Sequence, residues 1–273
     1  MGDIKVAVTG AAGRMGREVV RAVIEAEGLE LVAAIDRGCI GTDAGELVGC
    51  GNAGVAVESN LDEALSRTKP DVMVDFTLPE GLMGNLRTAL GHGTAPVVGT
   101  TGLNPADFAE LEQLSASTST PVFIAPNFAI GAVLMMRFAA AAAKYMPDVE
   151  IIELHHDKKL DSPSGTALLT AQRIGEARRA AGVSPTPVPA GRIEKAVGAL
   201  GARAENTGDV PVHSVRLQGF VAHQEVIFGG PGQALTIRHD SIDRKSFMPG
   251  VVLAARKVRG LTGLVIGLEK VMD

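Results

Sequence analysis

The sequence predicts an α/β protein of two domains, a doubly wound parallel sheet and a smaller α+β domain whose sheet is mixed and mostly antiparallel. Three observations carry this expectation. Short β-rich apolar runs alternate with helical patterns through the first half, a glycine-rich turn joins the first strand to the first helix, and three strands follow one another across short turns in the second half. Alternation of strand and helix implies βαβ units with helices on both faces of a parallel sheet, whereas successive strands with short links pair antiparallel.

In the first half Ile4–Thr9, Leu31–Ile35, Val72–Phe76, Pro96–Val98 and Val122–Ala125 read as strands. Met15–Glu27 reads as a helix, because Val19, Val20, Val23 and Ile24 form a stripe at helical spacing. Gly131–Tyr145 is rich in Ala and Met and favours a long packed helix. Glu150–His155 then reads as a strand, Thr166–Ala181 as a helix and Ser184–Pro189 as a proline-rich loop. Val212–Leu217, Ala222–Phe228 and Ala234–Arg238 read as strands joined by turns at Gln218-Gly219 and Gly229-Gly230-Pro231-Gly232. A final helical stretch, Pro249–Arg259, with Leu264–Met272 after it, is expected to pack back on the first domain. The expected boundaries are 1–127 plus 241–273 for the first domain and 128–240 for the second.

Composition excludes several classes of partner. The 273 residues are 46% apolar and 21% charged, enough for a substantial core. Net charge is −5 with scattered Lys and Arg, which argues against nucleic acid or an anionic membrane surface as partner. The chain runs directly into the Ile4–Thr9 strand, so no secretion leader is expected, and Val6 stands where a myristoylation motif needs Ser or Thr. Val122–Met146, the most apolar region, is interrupted by Pro126, Asn127, Arg137 and Lys144 and is not expected to span a membrane. Cys39 and Cys50 form no C-x-x-C pair and lie near no histidine cluster, so a reduced cytoplasmic setting is expected and no metal site is assigned.

The first motif with chemical content is the turn Gly10-Ala11-Ala12-Gly13-Arg14-Met15-Gly16 after the first strand. Small residues there let a pyrophosphate approach backbone N–H groups and the positive end of the helix, although the spacing is G-x-x-G-x-x-G and a turn can be glycine-rich for steric reasons alone. Asp36 follows Gly16 by 20 residues and closes the second strand, where a carboxylate accepts hydrogen bonds from an adenosine ribose. The first domain is therefore read as a Rossmann-like dinucleotide-binding domain. Arg37 is either solvent-facing or paired with a ribose 2′-phosphate, so both NADH and NADPH are expected to serve. Gly99-Thr100-Thr101-Gly102 and Ala125-Pro126-Asn127-Phe128 lie at the carboxyl ends of two more strands, where open α/β sheets bind ligands.

The densest chemistry lies in Glu153-Leu154-His155-His156-Asp157-Lys158-Lys159-Leu160-Asp161-Ser162-Pro163-Ser164-Gly165-Thr166-Ala167. His155 and Lys159 are four apart and are expected on one face, and Ser162–Thr166 leads into a helix whose free N–H groups attract an anion. An imidazole, an ammonium and an anion site so gathered suit an acidic substrate and proton transfer. A basic surface loop is the plain alternative; a metal site is weaker, because adjacent histidines on a strand point to opposite faces.

This segment resembles the E-x-H-H-x-x-K-x-D-x-P-S-G-T-A signature of the dihydrodipicolinate reductases, and the resemblance runs over essentially the whole chain, through Gly10–Gly16, Asp75-Phe76-Thr77 with Pro79-Glu80, Gly99–Gly102 and Asn127-Phe128. The resemblance implies a dinucleotide-binding domain built from the N-terminal part plus the last helices, and a substrate domain that also carries the contacts of a homotetramer. It places cofactor contacts on Gly10, Ala11, Ala12, Gly13, Arg14, Met15, Asp36, Arg37, Gly99, Thr100, Thr101, Ala125, Pro126, Asn127 and Phe128. It implies substrate contacts at His156, Gly165 and Thr166, with His155 exchanging a proton and Lys159 donating one. The implied activity is the NAD(P)H-dependent reduction of a cyclic imine dicarboxylate with loss of water, in the diaminopimelate route to lysine. Another NAD(P)-dependent dehydrogenase and a non-catalytic NAD(P) sensor are the alternatives; the sensor has no need of His155 and Lys159.

Overall fold

The computed structural model describes residues 2–186 and 210–272. They divide into two compact units, Met1–Ile130 with Arg244–Asp273, and Gly131–Asp243.

Unit 1 begins with β1 (Ile4–Thr9), α1 (Arg14–Glu25), β2 (Leu29–Ile35), α2 (Ala44–Val48), β3 (Val57–Glu58), α3 (Leu61–Thr68) and β4 (Val72–Asp75). It continues through α4 (Pro79–Gly91), β5 (Ala95–Val98), α5 (Pro105–Thr118) and β6 (Val122–Ile124), and is completed by α8 (Met248–Lys257) and β11 (Leu264–Ile266). The strands pair in the order β11-β6-β5-β4-β1-β2-β3, and every pairing is parallel. Parallel sheets are covered on both faces, which is why the residues of β4, β5 and β6 are all buried and why their sequences are apolar rather than alternating. Helix α1 lays Val19, Val20 and Val23 into the core. Side-chain caps set other helix starts: Asn60 accepts from Glu63 N at α3, and Asn104 forms a capping box with Asp107 at α5. The strand order reverses between β1 and β4, so the crevice at their carboxyl ends is where a ligand of such a sheet binds.

The stretch after α8, for which no element type is expected from the sequence, supplies the edge of the sheet: Leu264–Ile266 is a strand that pairs with β6 in parallel, Leu264 opposite Val122, and Leu268–Lys270 turns as a short 3-10 helix. Gly263 at φ +69° and Gly267 at φ +102° bracket a three-residue apolar run, too short for a helix, beside a sheet edge that needs a partner.

In unit 2, α6 (Ile130–Ala142) is followed by β7 (Asp148–His155), α7 (Gly165–Ala181), β8 (Val212–Arg216), β9 (Ala222–Gly230) and β10 (Gln233–Ser241). The sheet order is β10-β9-β7-β8; β7 runs parallel to β8 and antiparallel to β9, and β9 is antiparallel to β10. The expected turn at Gly229–Gly232 shrinks to Pro231-Gly232, because Gly229 and Gly230 remain paired in β9. Of the proline-rich Ser184–Pro189 loop, residues 184–186 are irregular and 187–189 lie outside the described residues.

The turn after β1 is under a steric constraint that yields a prediction. A Cβ on Gly16 would lie 1.8 Å from the Gly10 carbonyl oxygen, a backbone atom that cannot move aside cheaply. Gly16→Ala should therefore cost about 1–3 kcal/mol or more, seen as a melting transition lowered by several degrees in calorimetry. Gly84→Ala, in the middle of α4 with open space at its Cβ, should be neutral or stabilising by roughly 0.4–1 kcal/mol. A Gly16→Ala protein as stable as the wild type would show that the turn is not sterically locked.

Candidate active site

In unit 1 the turn after β1 is tied to β2 by backbone bonds: Gly10 N and Ala11 N donate to Ile35 O at 2.8 and 3.1 Å. Gly10 takes φ +77°, and a Cβ there would come within 2.6 Å of Phe76 O, so both conformation and space require glycine. Asp36 holds the turn from the end of β2, accepting from Ala12 N on Oδ2 and from Gly38 N on Oδ1, each at 2.9 Å. Each oxygen keeps a lone pair for a ribose hydroxyl. Arg37 beside it is exposed.

Helix α1 starts at an N-cap, Gly13, that has no side chain to cap it, and its first turn holds no acidic residue. The N–H groups of Arg14, Met15 and Gly16 have no acceptor within the helix, and a diphosphate at this positive end would supply one. The residues present thus fit a dinucleotide. Across the sheet, Gly99 is closed in by the Phe76 ring, 2.1 Å from where a Cβ would stand. Thr100 is buried with its hydroxyl turned inward to Asp75, while Thr101 is exposed. Ala125 and Phe128 are buried, and the Phe128 ring packs in the core against Phe76 and Phe123 at centroid distances of 5.7 and 6.2 Å. Only the backbone of Phe128 is left to meet a ligand. Pro126 is exposed, and Asn127 turns its Oδ1 to Ala129 N at 2.8 Å.

In unit 2, His155 ends β7, and its Nδ1 lies 2.5 Å from Glu153 Oε2. Glu153 has no exposed surface. It also takes a two-pronged contact from Arg216 at the end of β8, Nη1 to Oε2 at 2.9 Å and Nη2 to Oε1 at 2.7 Å, and Ser164 N donates to Oε1 at 3.2 Å. Burial pushes this carboxyl up, but hydrogen bonds from His155, Arg216 and Ser214 outweigh it and hold the pKa at about 2. A carboxylate only accepts, so the proton between the pair sits on Nδ1, and Nε2 lies outside this contact.

Lys159 does not share a strand face with His155. The chain leaves β7 at His155 and turns, with Lys159 N donating to His156 O at 3.2 Å, and Lys159 Nζ pairs with Asp161 Oδ1 at 2.6 Å. The hydrogen bond from Lys159 holds the Asp161 carboxyl below its usual range. Arg216 Nη2 reaches this loop as well, donating to Asp161 O at 2.8 Å. One guanidinium therefore braces the partner of His155 and the partner of Lys159. Ser164 caps α7 by accepting from Ala167 N at 3.2 Å, so the helix opens with Gly165 exposed and Thr166 half-buried; His156 is half-buried as well. No group of three or more His, Cys, Asp or Glu arranged to hold a metal ion occurs among the described residues.

Glu153 and Ser164 fall within the Glu153–Ala167 segment but take no role of their own from the sequence, and Arg216 was not singled out. Glu153 had a signal, since residues two apart on a strand share a face. Arg216 had none, because it meets Glu153 across 63 residues of chain.

The depressed Glu153 pKa has a sign that can be tested. Its folded value of about 2 lies below the ordinary 4.5, so the stability it contributes is present above about pH 4.5 and fades as pH falls toward 2. Glu153→Gln should cost roughly 3–5 kcal/mol near pH 6, as for breaking a buried pair, and much less near pH 2.5. Urea titrations at both pH values measure this; a difference that does not change with pH would contradict it.

Residues 4–128 match the family described as dihydrodipicolinate reductase, N-terminus, and residues 131–272 match dihydrodipicolinate reductase, C-terminus. A 4-hydroxy-tetrahydrodipicolinate reductase of Desulfitobacterium hafniense is 51% identical over the full length of both chains. The protein of the same name from Moorella thermoacetica is 48% identical over 99% of this chain and 98% of its own. Among solved structures, the dipicolinate-bound dihydrodipicolinate reductase from Paenisporosarcina sp. TG-14 is similar with a TM-score of 0.85 at 43% identity, covering 99% of this chain and 100% of that one. With both halves matched and half of all residues shared over its whole length, the chain belongs to the dihydrodipicolinate reductase family.

Proposed function

We infer that the chain reduces 4-hydroxy-tetrahydrodipicolinate to tetrahydrodipicolinate with NADH or NADPH and loss of water, in the diaminopimelate route to lysine. The observation that carries this reading, given the family, is the braced pair of proton-handling groups in unit 2, His155 on Glu153 and Lys159 on Asp161, beside the start of α7. A protein that only sensed a dinucleotide would not need them.

When bound, the nicotinamide would supply hydride to the carbon of the conjugated imine from which the hydroxyl has left as water. The chain's own residues do the rest. We assign the diphosphate to the turn Gly10–Met15, the adenosine ribose to Asp36 and Arg37, and the nicotinamide end to Gly99–Thr101 and the backbone of Ala125–Phe128. We assign a substrate carboxylate to Gly165 and Thr166, where the helix end favours an anion by about 0.3–1 kcal/mol beyond the hydrogen bonds themselves, with His156 as a further contact. As the carbon that lost the hydroxyl takes up hydride, negative charge passes through the conjugated imine to the ring nitrogen. The Lys159 ammonium stabilises that charge and delivers a proton to it. His155 exchanges a proton with the substrate through Nε2, held in place by Glu153.

We also assign unit 2 the contacts of a homotetramer, with β10 as the surface concerned, since Gln233, Ala234, Leu235 and Thr236 are exposed on an edge strand. No helix among the described residues is long and apolar enough to cross a membrane, and a cytoplasmic location suits a biosynthetic reductase.

Turnover of the cyclic imine, generated in place by a coupled synthase, tests the reading directly, and absence of turnover with both cofactors would end it. Lys159→Met should fold and bind cofactor but lose a factor of roughly 100 or more in kcat. A wild-type kcat would remove Lys159 from the mechanism. Arg37→Ala should raise the KM for NADPH more than that for NADH; equal changes would show that Arg37 does not read the 2′-phosphate.

A further inference from the structure

Asp75 is the last residue of β4, in the middle of the unit 1 sheet, and has no exposed surface. Its carboxylate accepts five hydrogen bonds. Oδ1 takes Thr77 N at 3.0 Å, Thr77 Oγ1 at 2.8 Å and Thr100 Oγ1 at 2.8 Å. Oδ2 takes Thr9 Oγ1 and Asn85 Nδ2, each at 2.8 Å. The donors come from the end of β1, the loop after β4, helix α4 and the loop after β5.

The direction of these bonds matters as much as their number. A threonine hydroxyl has one hydrogen and two lone pairs. Thr77 and Thr100 both give that hydrogen to Asp75, so on the Gly99–Thr101 loop assigned to the nicotinamide end, and on the loop after β4 that meets it where Thr100 Oγ1 lies 3.4 Å from Thr77 O, their oxygens can only accept, Thr77 Oγ1 already taking Asn85 Nδ2 at 3.4 Å. An acceptor surface suits an amide –NH2 and opposes a carboxylate, which has no hydrogen to give.

We propose that Asp75 is a positioning residue that sets the hydrogen-bond polarity of the nicotinamide end of the site, so that it takes a carboxamide and rejects the corresponding carboxylic acid. Neutral Asn in its place has a donor of its own, on which at least one threonine hydroxyl turns to accept, freeing its hydrogen to point outward. The selection against an acid then weakens while the rest of the cradle stays as it was. This inference rests on the reading of unit 1 as the cofactor-binding unit.

Calorimetric titration of the full chain with three probes tests it: NAD+, nicotinic acid adenine dinucleotide, which carries carboxylate for carboxamide, and ADP-ribose, which lacks the ring. Wild type should bind NAD+ at least about tenfold tighter than the acid, the scale of one hydrogen bond lost against one acceptor left opposing a charge. Asp75→Asn should narrow that ratio to about threefold or less, with ADP-ribose affinity unchanged. If Asp75→Asn does not fold, Thr77→Val, which deletes one acceptor, should narrow the ratio in the same way. Equal wild-type affinity for the two dinucleotides, an unchanged ratio in the variants, or ADP-ribose weakening in step with NAD+ would overturn the proposal. Failure of the wild type to bind ADP-ribose at all would instead overturn the cofactor assignment to unit 1.

Discussion

A carboxylate shut away from water is costly unless other groups replace the hydrogen bonds that water made. Each unit of this chain is organised around one such group. In unit 2 the group is Glu153, and satisfying it draws together the end of β7, the end of β8 and the cap of α7. In unit 1 it is Asp75, and satisfying it draws together β1, α4 and the loops after β4 and β5. Asp75 ends β4 and Glu153 lies two residues before the end of β7, so both stand close to the loops that supply part of their donors. Completing these two shells holds His155 and Ser164 in unit 2 and Thr77 and Thr100 in unit 1 in place.

The two shells are closed differently. Glu153 takes a guanidinium and an imidazole, so charge meets charge and the carboxyl is strongly held in its ionised form. Asp75 takes hydroxyls, an amide and a backbone N–H, all neutral. A charged shell suits a place where protons move, because it keeps the supporting group fixed while its neighbour titrates. A neutral shell suits a place where a ligand must be oriented, because every donor in it has a direction.

Much of this was legible in the residue order. The strands of unit 1 were readable because a parallel strand is buried on both faces and its sequence is a largely apolar run; β1 and the core of α1 fall where the pattern put them. The turn at Gly10–Gly16 and the His155–Thr166 segment were readable because their chemistry is local in sequence. What failed was nonlocal. The run Leu264–Ile266 looks like nothing definite until β6 offers it an edge, and Arg216 is one arginine among many until β8 lies beside β7. The four-residue spacing of His155 and Lys159 reads as one face on a regular backbone, extended or helical, whereas the chain turns after His155 with Lys159 N on His156 O. Phe128 belongs to a motif, yet its ring serves the core.

The pairing of β11 with β6 has a consequence for biogenesis. The seven-stranded sheet is assembled from two separate stretches of chain, and everything that forms unit 2 is synthesised between them. As the chain leaves the ribosome, β6 emerges early with one edge unpaired and stays so until more than a hundred further residues, Ala125–Gly263, have followed. During that interval the nascent sheet exposes a short, wholly apolar strand, Val122–Ile124, of the kind that invites pairing with another chain. The last strand to be made is therefore also the one that seals the first unit to be started, and the vulnerable period of the nascent protein is as long as the time taken to translate the inserted one.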